Sequence, residues 1–263
     1  MNKGIYNIFK TILRKILSKK LLYKCEPILR TILFIFYKGE NYSCKVCNKK
    51  LKSFIQNNND ILCPNCGSSS RDRRLVKILE EEYLKSEIAI LDFSPSRSVY
   101  RKLKKICPNN YESSDLSGDF LADYKYNITE INVKANKYDL IICYHVLEHV
   151  VDDNKAISEL YRVLKNDGVC LIQTPFKSGD IFEDYSINTD EERLKYFGQK
   201  DHVRIYSLTG LKERLYNHGF KIEVMKFIEE RDQFGSTVGL NFRSNYTLST
   251  AVGGCCSLLG TLI

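Results

Sequence analysis

The sequence predicts an α/β protein, a doubly wound and mostly parallel sheet preceded by a small four-cysteine module, and three observations carry that expectation. Short apolar runs alternate with amphipathic stretches from about residue 70 onward, as strands buried on both faces do when helices join them. Asp139 to Val150, DLIICYHVLEHV, is such a run; it ends in a Cys-Tyr-His corner, and Asp152 and Asp153 then open a helix. A parallel sheet presents polar side chains at its ligand-binding edge in this way. Finally, Cys44, Cys47, Cys63 and Cys66 form two C-x2-C pairs.

A chain of 263 residues with 43% hydrophobic content can bury one sizeable α/β core beside a small appendage. The expected parts are basic amphipathic helices in 1–40, the cysteine module in 41–69, the α/β domain in 70–250 and a tail in 251–263. Residues 1 to 80 carry 17 Lys and Arg against 5 acids, leaving 23 against 27 for the rest. The basic character therefore belongs to the N-terminal part, which suits an anionic partner, and a sheet domain basic throughout is not indicated. Ten cysteines without a leader-like apolar stretch point to a reducing compartment. Cys107, Cys143 and Cys170 fall in or beside core elements, where a free thiol behaves as a small hydrophobe.

In chain order, Ile5, Ile8, Phe9, Ile12, Leu13, Ile16 and Leu17 make an apolar stripe at helical period, with Lys3, Lys10, Arg14, Lys15, Lys19 and Lys20 around it. Ile28 to Tyr37 extends the apolar surface. The stripe either lies in a membrane interface or packs on the chain's own α/β domain, and charges interrupt every stretch long enough to span a bilayer. Each C-x2-C pair presents both sulfurs from one tight knuckle, and four thiolates complete a closed tetrahedral zinc site that serves folding, with Gly67 in the second turn. Ser70 to Leu84 reads as a helix with Leu75, Ile78, Leu79 and Tyr83 inward. Ile88–Phe93, Asn110–Ser114, Tyr124–Ile128 and Tyr138–Cys143 read as the first four strands, and Ser96–Ile106 as the first crossover helix. Leu208–His218 is a helix closed by Gly219, followed by strands in Phe220–Ile228 and Val238–Leu248. Ala251 to Ile263 is a disordered end, an apolar peg or an artefact of the sequence.

Asp139 to Val150, Ala156 to Gly168 (AISELYRVLKNDG) and Val169 to Pro175 (VCLIQTP) together resemble the fourth strand, next helix, Gly turn and fifth strand of class I S-adenosylmethionine-dependent methyltransferases. From about Tyr42 to Phe242 the chain is similar to a methyltransferase type 11-like bacterial subgroup with a zinc-ribbon-like segment in front. The resemblance implies a Rossmann-like sheet and S-adenosylmethionine as cofactor. It departs at Ile88 to Ser96, IAILDFSPS, where relatives have a glycine-rich turn and this chain has no glycine, so Ser94, Pro95 and Ser96 must let the backbone approach the cofactor differently.

Carried over residue by residue, the resemblance places Asp92, Phe93, Ser94 and Pro95 in the cofactor loop and Asp115 on the ribose hydroxyls. Asn127 and Ile128 fall beside the adenine, with the Asn127 amide oxygen standing in for a carboxylate. Tyr144 and His145 border the methionine end and the acceptor, while Glu148 and His149 orient the corner. Methyl transfer needs a base for a hydroxyl or ammonium acceptor, and His145 and His202 are the first candidates, with Tyr144 beside them. Phe176 to Tyr206 is too long for an ordinary strand-to-helix connection and reads as a lid. Phe197-Gly198-Gln199 with His202, Arg204 and Tyr206 resembles a family signature, and Arg204 and Tyr206 are expected to contact substrate.

The resulting expectation is a cytoplasmic methyltransferase acting on oxygen or nitrogen of a small molecule or glycan-related acceptor, with peripheral contact to an anionic membrane at its inner face. Two alternatives stand beside it. One is RNA methylation with the ribbon holding the phosphate backbone, which the net acidic sheet domain and the few aromatics of the ribbon disfavour. The other is an inactive methyltransferase fold serving as an adaptor.

Overall fold

The computed structural model describes residues 19–57, 60–84, 87–226, 246–249 and 255–262. The apolar stripe of residues 5–17 and most of the strand expected at Val238–Leu248 lie outside them. The described residues form two compact units, one from 19–57, 60–84 and Ser96–Lys102, the other from 87–95, 103–226 and the two late segments.

The first unit opens with helix α1 (Lys19–Ile35). Pro27 lies inside it and has no N–H for the Tyr23 carbonyl one turn back; that carbonyl accepts from the Arg101 guanidinium at 2.9 Å instead. Glu26 gathers Arg30, Arg97 and Arg101 at 2.9, 2.7 and 3.1 Å. Burial alone would raise its carboxyl, yet these guanidiniums hold it down at about 2. The face carrying Ile28, Ile32, Ile35 and Phe36 is exposed. Among the described residues no helix is long and apolar enough to cross a membrane.

Two small antiparallel pairs follow, β1 (Lys38–Ser43) with β2 (Lys50–Leu51) and β3 (Ile55–Asn57) with β4 (Asp60–Leu62). Each leads into one cysteine knuckle, and the knuckles repeat the same bonds. Cys44 N–H donates to the Lys49 carbonyl and Asn48 N–H to Cys44, just as Cys63 N–H donates to Ser68 and Gly67 N–H to Cys63. Asn48 and Gly67 hold the left-handed position, at φ 56° and 77°. Glycine suits the second, where the left-handed φ strains a side chain and a Cβ would push the Arg30 guanidinium aside.

Helix α2 (Ser70–Ile78) begins with a capping box between Ser69 and Asp72 and ends in a π-helical turn, Leu79–Tyr83. Inside it Arg73 is fully buried, donating to the Ser68 and Ile61 carbonyls and lying 4.2 Å over the Phe54 ring. The expected inward face holds for Leu75, Ile78 and Leu79, whereas Tyr83 is half-buried.

The second unit is built on a parallel array of β6 (Tyr111–Ser114), β5 (Ile90–Phe93), β7 (Tyr138–Tyr144) and β8 (Leu164–Lys177), in that order. This is the doubly wound, Rossmann-like arrangement expected of a class I methyltransferase. Helix α3 (Arg97–Ile106) follows β5, and α4 (Asp153–Val163), capped by Asp152, joins β7 to β8. Apolar residues of β7, β8 and α4 fill one continuous core that includes Ile141, Cys143, Ile157, Leu160, Cys170 and Ile172. The strand expected at Tyr124–Ile128 is reduced to isolated bridges at Tyr124 and Asn127; the polar run YKYN has too few apolar residues to be buried on both faces.

Beyond β8 come β9 (Phe182–Glu183), α5 (Asp190–Phe197), β10 (Arg204–Ser207), α6 (Leu208–Asn217) and β11 (Lys221–Lys226). The segment expected as a lid thus carries its own helix and two short strands, with β10 pairing parallel to the end of β8. Strands β12 (Tyr246–Ser249) and β13 (Cys255–Leu262) complete the sheet, β13 running parallel to β8 from Val169 to Phe176. The tail left open by the sequence is therefore a strand. Its apolar run is short enough to read equally as a peg, and only a free edge on β8 makes it a strand.

Candidate functional site

The carboxyl ends of β5, β6, β7 and β8 converge at one edge of the sheet, where open α/β proteins bind ligands. Asp92, at the end of β5, is 1% exposed and accepts from the Tyr111 hydroxyl at 3.0 Å, so its burial is compensated. Ser94 supplies what a glycine would: it adopts φ 49°, its N–H reaches the Ser114 carbonyl, and its hydroxyl donates to Asp115 Oδ1 at 2.9 Å. A non-glycine residue held there costs about 1–3 kcal/mol, which these two bonds offset. Phe93 and Ile128, expected at the cofactor, put their side chains into the core. Pro95 is buried beside them in the sequence.

Asp115 is nearly enclosed. Besides Ser94 it accepts from the Ser117 hydroxyl and from the Asp119 and Phe120 N–H groups at 2.9 and 3.2 Å. Asn127, exposed, accepts at its amide oxygen from the Thr129 N–H and hydroxyl two residues on. In that local turn the amide NH2 is the group Asn127 still has to offer.

At the end of β7, His145 occupies the left-handed region at φ 55°, donates its N–H to the Gln173 carbonyl at 2.7 Å and sets Nδ1 3.0 Å from Glu148 Oε1. Glu148 lies on a 3-10 turn, Leu147–His149, and is fully buried. Burial raises its carboxyl, but the His145 bond and the neighbouring imidazoles bring it below the usual carboxylate value. His202 is buried too, and desolvation lowers its imidazole against the pull of Glu148. Tyr144 pairs with Gln173 across the β7–β8 ladder.

Four polar side chains near this edge keep buried atoms that make no hydrogen bond of ordinary geometry among the described residues: Glu148 Oε2, Gln173 Oε1, Thr174 Oγ1 and both ring nitrogens of His202. Buried polar groups are otherwise bonded, so these mark where a ligand would supply partners. Gln173 and Thr174 were not foreseen. On β8 they look like an ordinary polar interruption of a strand, and only the register with Tyr144 puts them at the edge.

Arg204 and Tyr206, expected to touch substrate, are fully buried instead. Arg204 Nε donates to Glu183 at 2.9 Å, and its two terminal nitrogens reach the Leu147, Val150 and Val151 carbonyls. The Tyr206 hydroxyl donates to Asp153, and Arg214 bridges Asp153 and Glu183. These bonds occupy all three guanidinium nitrogens of Arg204, and the network pins the turn that carries Glu148 and His149 to the start of α4. Arg204 and Tyr206 therefore brace the corner.

In the first unit the four cysteine sulfurs lie within 4.8 Å of one another, with Cys44 to Cys66 and Cys47 to Cys63 both at 3.7 Å. Sulfurs about 2.3 Å from one tetrahedral ion stand about 3.8 Å apart, so the set fits a single metal. Through contacts with Cys47, Cys63 and Cys66, Cys44 is held far below an ordinary thiol, while contact with Cys44 first drives Cys63 and Cys66 far above. Packed sulfurs cannot all carry charge without a cation.

The sequence profile of the methyltransferase domain family matches residues 69–224. An uncharacterized protein of Methanocaldococcus jannaschii is 30% identical over 134 residues, which cover 47% of this chain and 58% of that protein. The chain thus spans under two thirds of that curated relative. Among solved structures, phosphoethanolamine N-methyltransferase 2 of Haemonchus contortus is 18% identical with a TM-score of 0.48, over 83% of this chain and 48% of that one. An S-adenosylmethionine-dependent methyltransferase of Archaeoglobus fulgidus is 16% identical with a TM-score of 0.45, over 60% and 71%.

Proposed function

The chain belongs to the methyltransferase domain family, and from that premise we propose that this S-adenosylmethionine-dependent methyltransferase methylates oxygen or nitrogen of a small-molecule or glycan-related acceptor at the carboxyl edge of β5, β7 and β8. The observation that carries the placement is the set of buried, unbonded polar atoms on Gln173 and Thr174 beside Tyr144. A ligand with both donors and acceptors relieves them.

Bound there, S-adenosylmethionine supplies an electrophilic methyl group. The protein has mainly to align the acceptor about 3–3.5 Å from it. Asp115 accepts from two serine hydroxyls, and ribose hydroxyls can replace them without leaving a buried carboxylate unpaired. His145, whose Nδ1 is tied to Glu148, is the candidate base through Nε2, and the rigid Glu148 contact fixes the ring. Tyr144 lines the same corner. Arg204 and Tyr206 position the turn and need not touch the acceptor.

The four-cysteine site suits zinc, the ion for which four thiolates form a closed tetrahedral shell. With no open coordination position it serves folding of the first unit.

Calorimetry tests the cofactor reading. S-adenosylhomocysteine should bind the purified, zinc-loaded chain with micromolar affinity, and Asp115→Ala should weaken it at least tenfold, since bonds to a charged group contribute about 1.5–3 kcal/mol each. No heat of binding at millimolar nucleotide would sink the proposal and leave a protein that uses this fold without its chemistry.

A further inference from the structure

We infer that Glu148, His149 and His202 form a second metal site, for a divalent first-row ion, distinct from the four cysteines. One ligand atom from each of the three lies within 4.8 Å of the others. Glu148 and His149 sit on the turn after β7, His202 just before β10, and the Val203 N–H bonded to the Glu148 carbonyl at 2.9 Å ties the two segments together.

The unsatisfied atoms point the same way. Glu148 Oε1 is taken by His145, whereas Oε2, fully buried, makes no hydrogen bond of ordinary geometry among the described residues. His202 is 1% exposed; its ring meets the Phe197 backbone outside ordinary hydrogen-bond geometry, which leaves the other ring nitrogen for an ion. Each such buried group costs about 1–3 kcal/mol, and one cation among them satisfies the carboxylate oxygen and a nitrogen of each ring. The two rings also meet edge to face, with centroids 4.7 Å apart. That contact explains why imidazoles adjoin, but not why a carboxylate oxygen is buried beside them.

Asp201 completes the arrangement. Its Oδ2 lies 3.1 Å and its carbonyl 3.2 Å from His149 Nδ1, which makes Nδ1 the protonated nitrogen and leaves Nε2 as the nitrogen with a lone pair to offer. A carboxylate behind a ligating histidine is how metal sites fix ring orientation and tautomer. Two imidazoles and one carboxylate suit zinc, manganese or ferrous ions, and three protein ligands leave at least one position open. On the methyltransferase reading, that position would take an oxygen of the acceptor; metal binding itself does not depend on that reading.

The test uses the full chain with its cysteine site already loaded with zinc. Manganese(II) is titrated in while electron paramagnetic resonance counts the free ion, and total metal is measured after dialysis. One further equivalent of manganese should bind, with zinc content unchanged at one. His149 is partly exposed, so His149→Ala should keep the thermal melt of the wild type while weakening manganese at least tenfold; Glu148→Gln should do likewise if it folds. S-adenosylhomocysteine affinity should stay within threefold in His149→Ala, which separates loss of the ion from failure of the cofactor site. A wild-type chain that binds neither manganese nor a second zinc, or a His149→Ala chain that binds manganese as the wild type does, would overturn the site.

Discussion

The four cysteines of the first unit and the Glu148 cluster of the second are assembled by opposite means. Cys44 to Cys66 come from two short knuckles repeating the same backbone bonds, so a spacing rule in the sequence is enough to find them. Glu148, His149 and His202 come from a turn and from the far end of a long insertion, joined by a backbone bond and held by Arg204. One set is local and closed; the other is distant, open and dependent on a buried brace. Local sites therefore fail by losing their ion, and distant ones by losing their scaffold.

The largest expected effect sharpens that contrast. Cys44→Ser should remove zinc from the chain and unfold the first unit, because apparent binding energies of structural zinc are about 10–16 kcal/mol and are coupled to folding. S-adenosylhomocysteine affinity should change less than threefold. Metal analysis and calorimetry on the same sample read both, and a variant that retains zinc would break the local account.

Next comes the brace. Arg204→Ala leaves three carbonyls of the corner without their donor and takes one of two guanidinium partners from Glu183 and Asp153, which keep Arg214. Removing one partner of a buried ionic network costs about 3–5 kcal/mol, so denaturant unfolding of the second unit should shift by that amount. A shift below about 1 kcal/mol would mean that the corner is held by something else.

A smaller effect belongs to the first unit. Glu26 has its carboxyl lowered to about 2, against an ordinary value near 4.5, so the stability it contributes is fully present above about pH 4.5 and lost only as pH falls toward 2. Glu26→Gln should therefore cost roughly 3 kcal/mol at pH 7, from a shift of about 2.5 units. That difference should remain flat from pH 8 to 5.5 in denaturant melts. A difference already fading at pH 6 would contradict the Arg30, Arg97 and Arg101 clamp.

What the sequence revealed follows the same division. The strands β5, β7 and β8 announce themselves as apolar runs, the knuckles by spacing, α2 by its inward-facing apolar residues and α4 by its opening aspartates. Asp92 falls where the resemblance implies the cofactor loop, and Tyr111 bonds it there. The third strand dissolved because its residues are polar, and the tail became a strand only because β8 offered an edge. At the site, Arg204 and Tyr206 looked like lid residues because a run of His, Arg and Tyr in a long connection resembles an exposed surface. Their partners Asp153 and Glu183 lie far away in sequence, and only folding brings them together. Gln173 and Thr174 left no signal at all, since burial without a partner is a property of three dimensions.

The central claim, that cofactor and acceptor meet at the carboxyl edge of β5, β7 and β8, is tested most directly by amide hydrogen exchange with and without S-adenosylhomocysteine. The account predicts slower exchange in residues 92–95, 115–120 and 144–149 when the nucleotide is bound, with the knuckles at residues 44–66 unchanged. Protection confined to other parts of the chain, with those three segments unaffected, would contradict it.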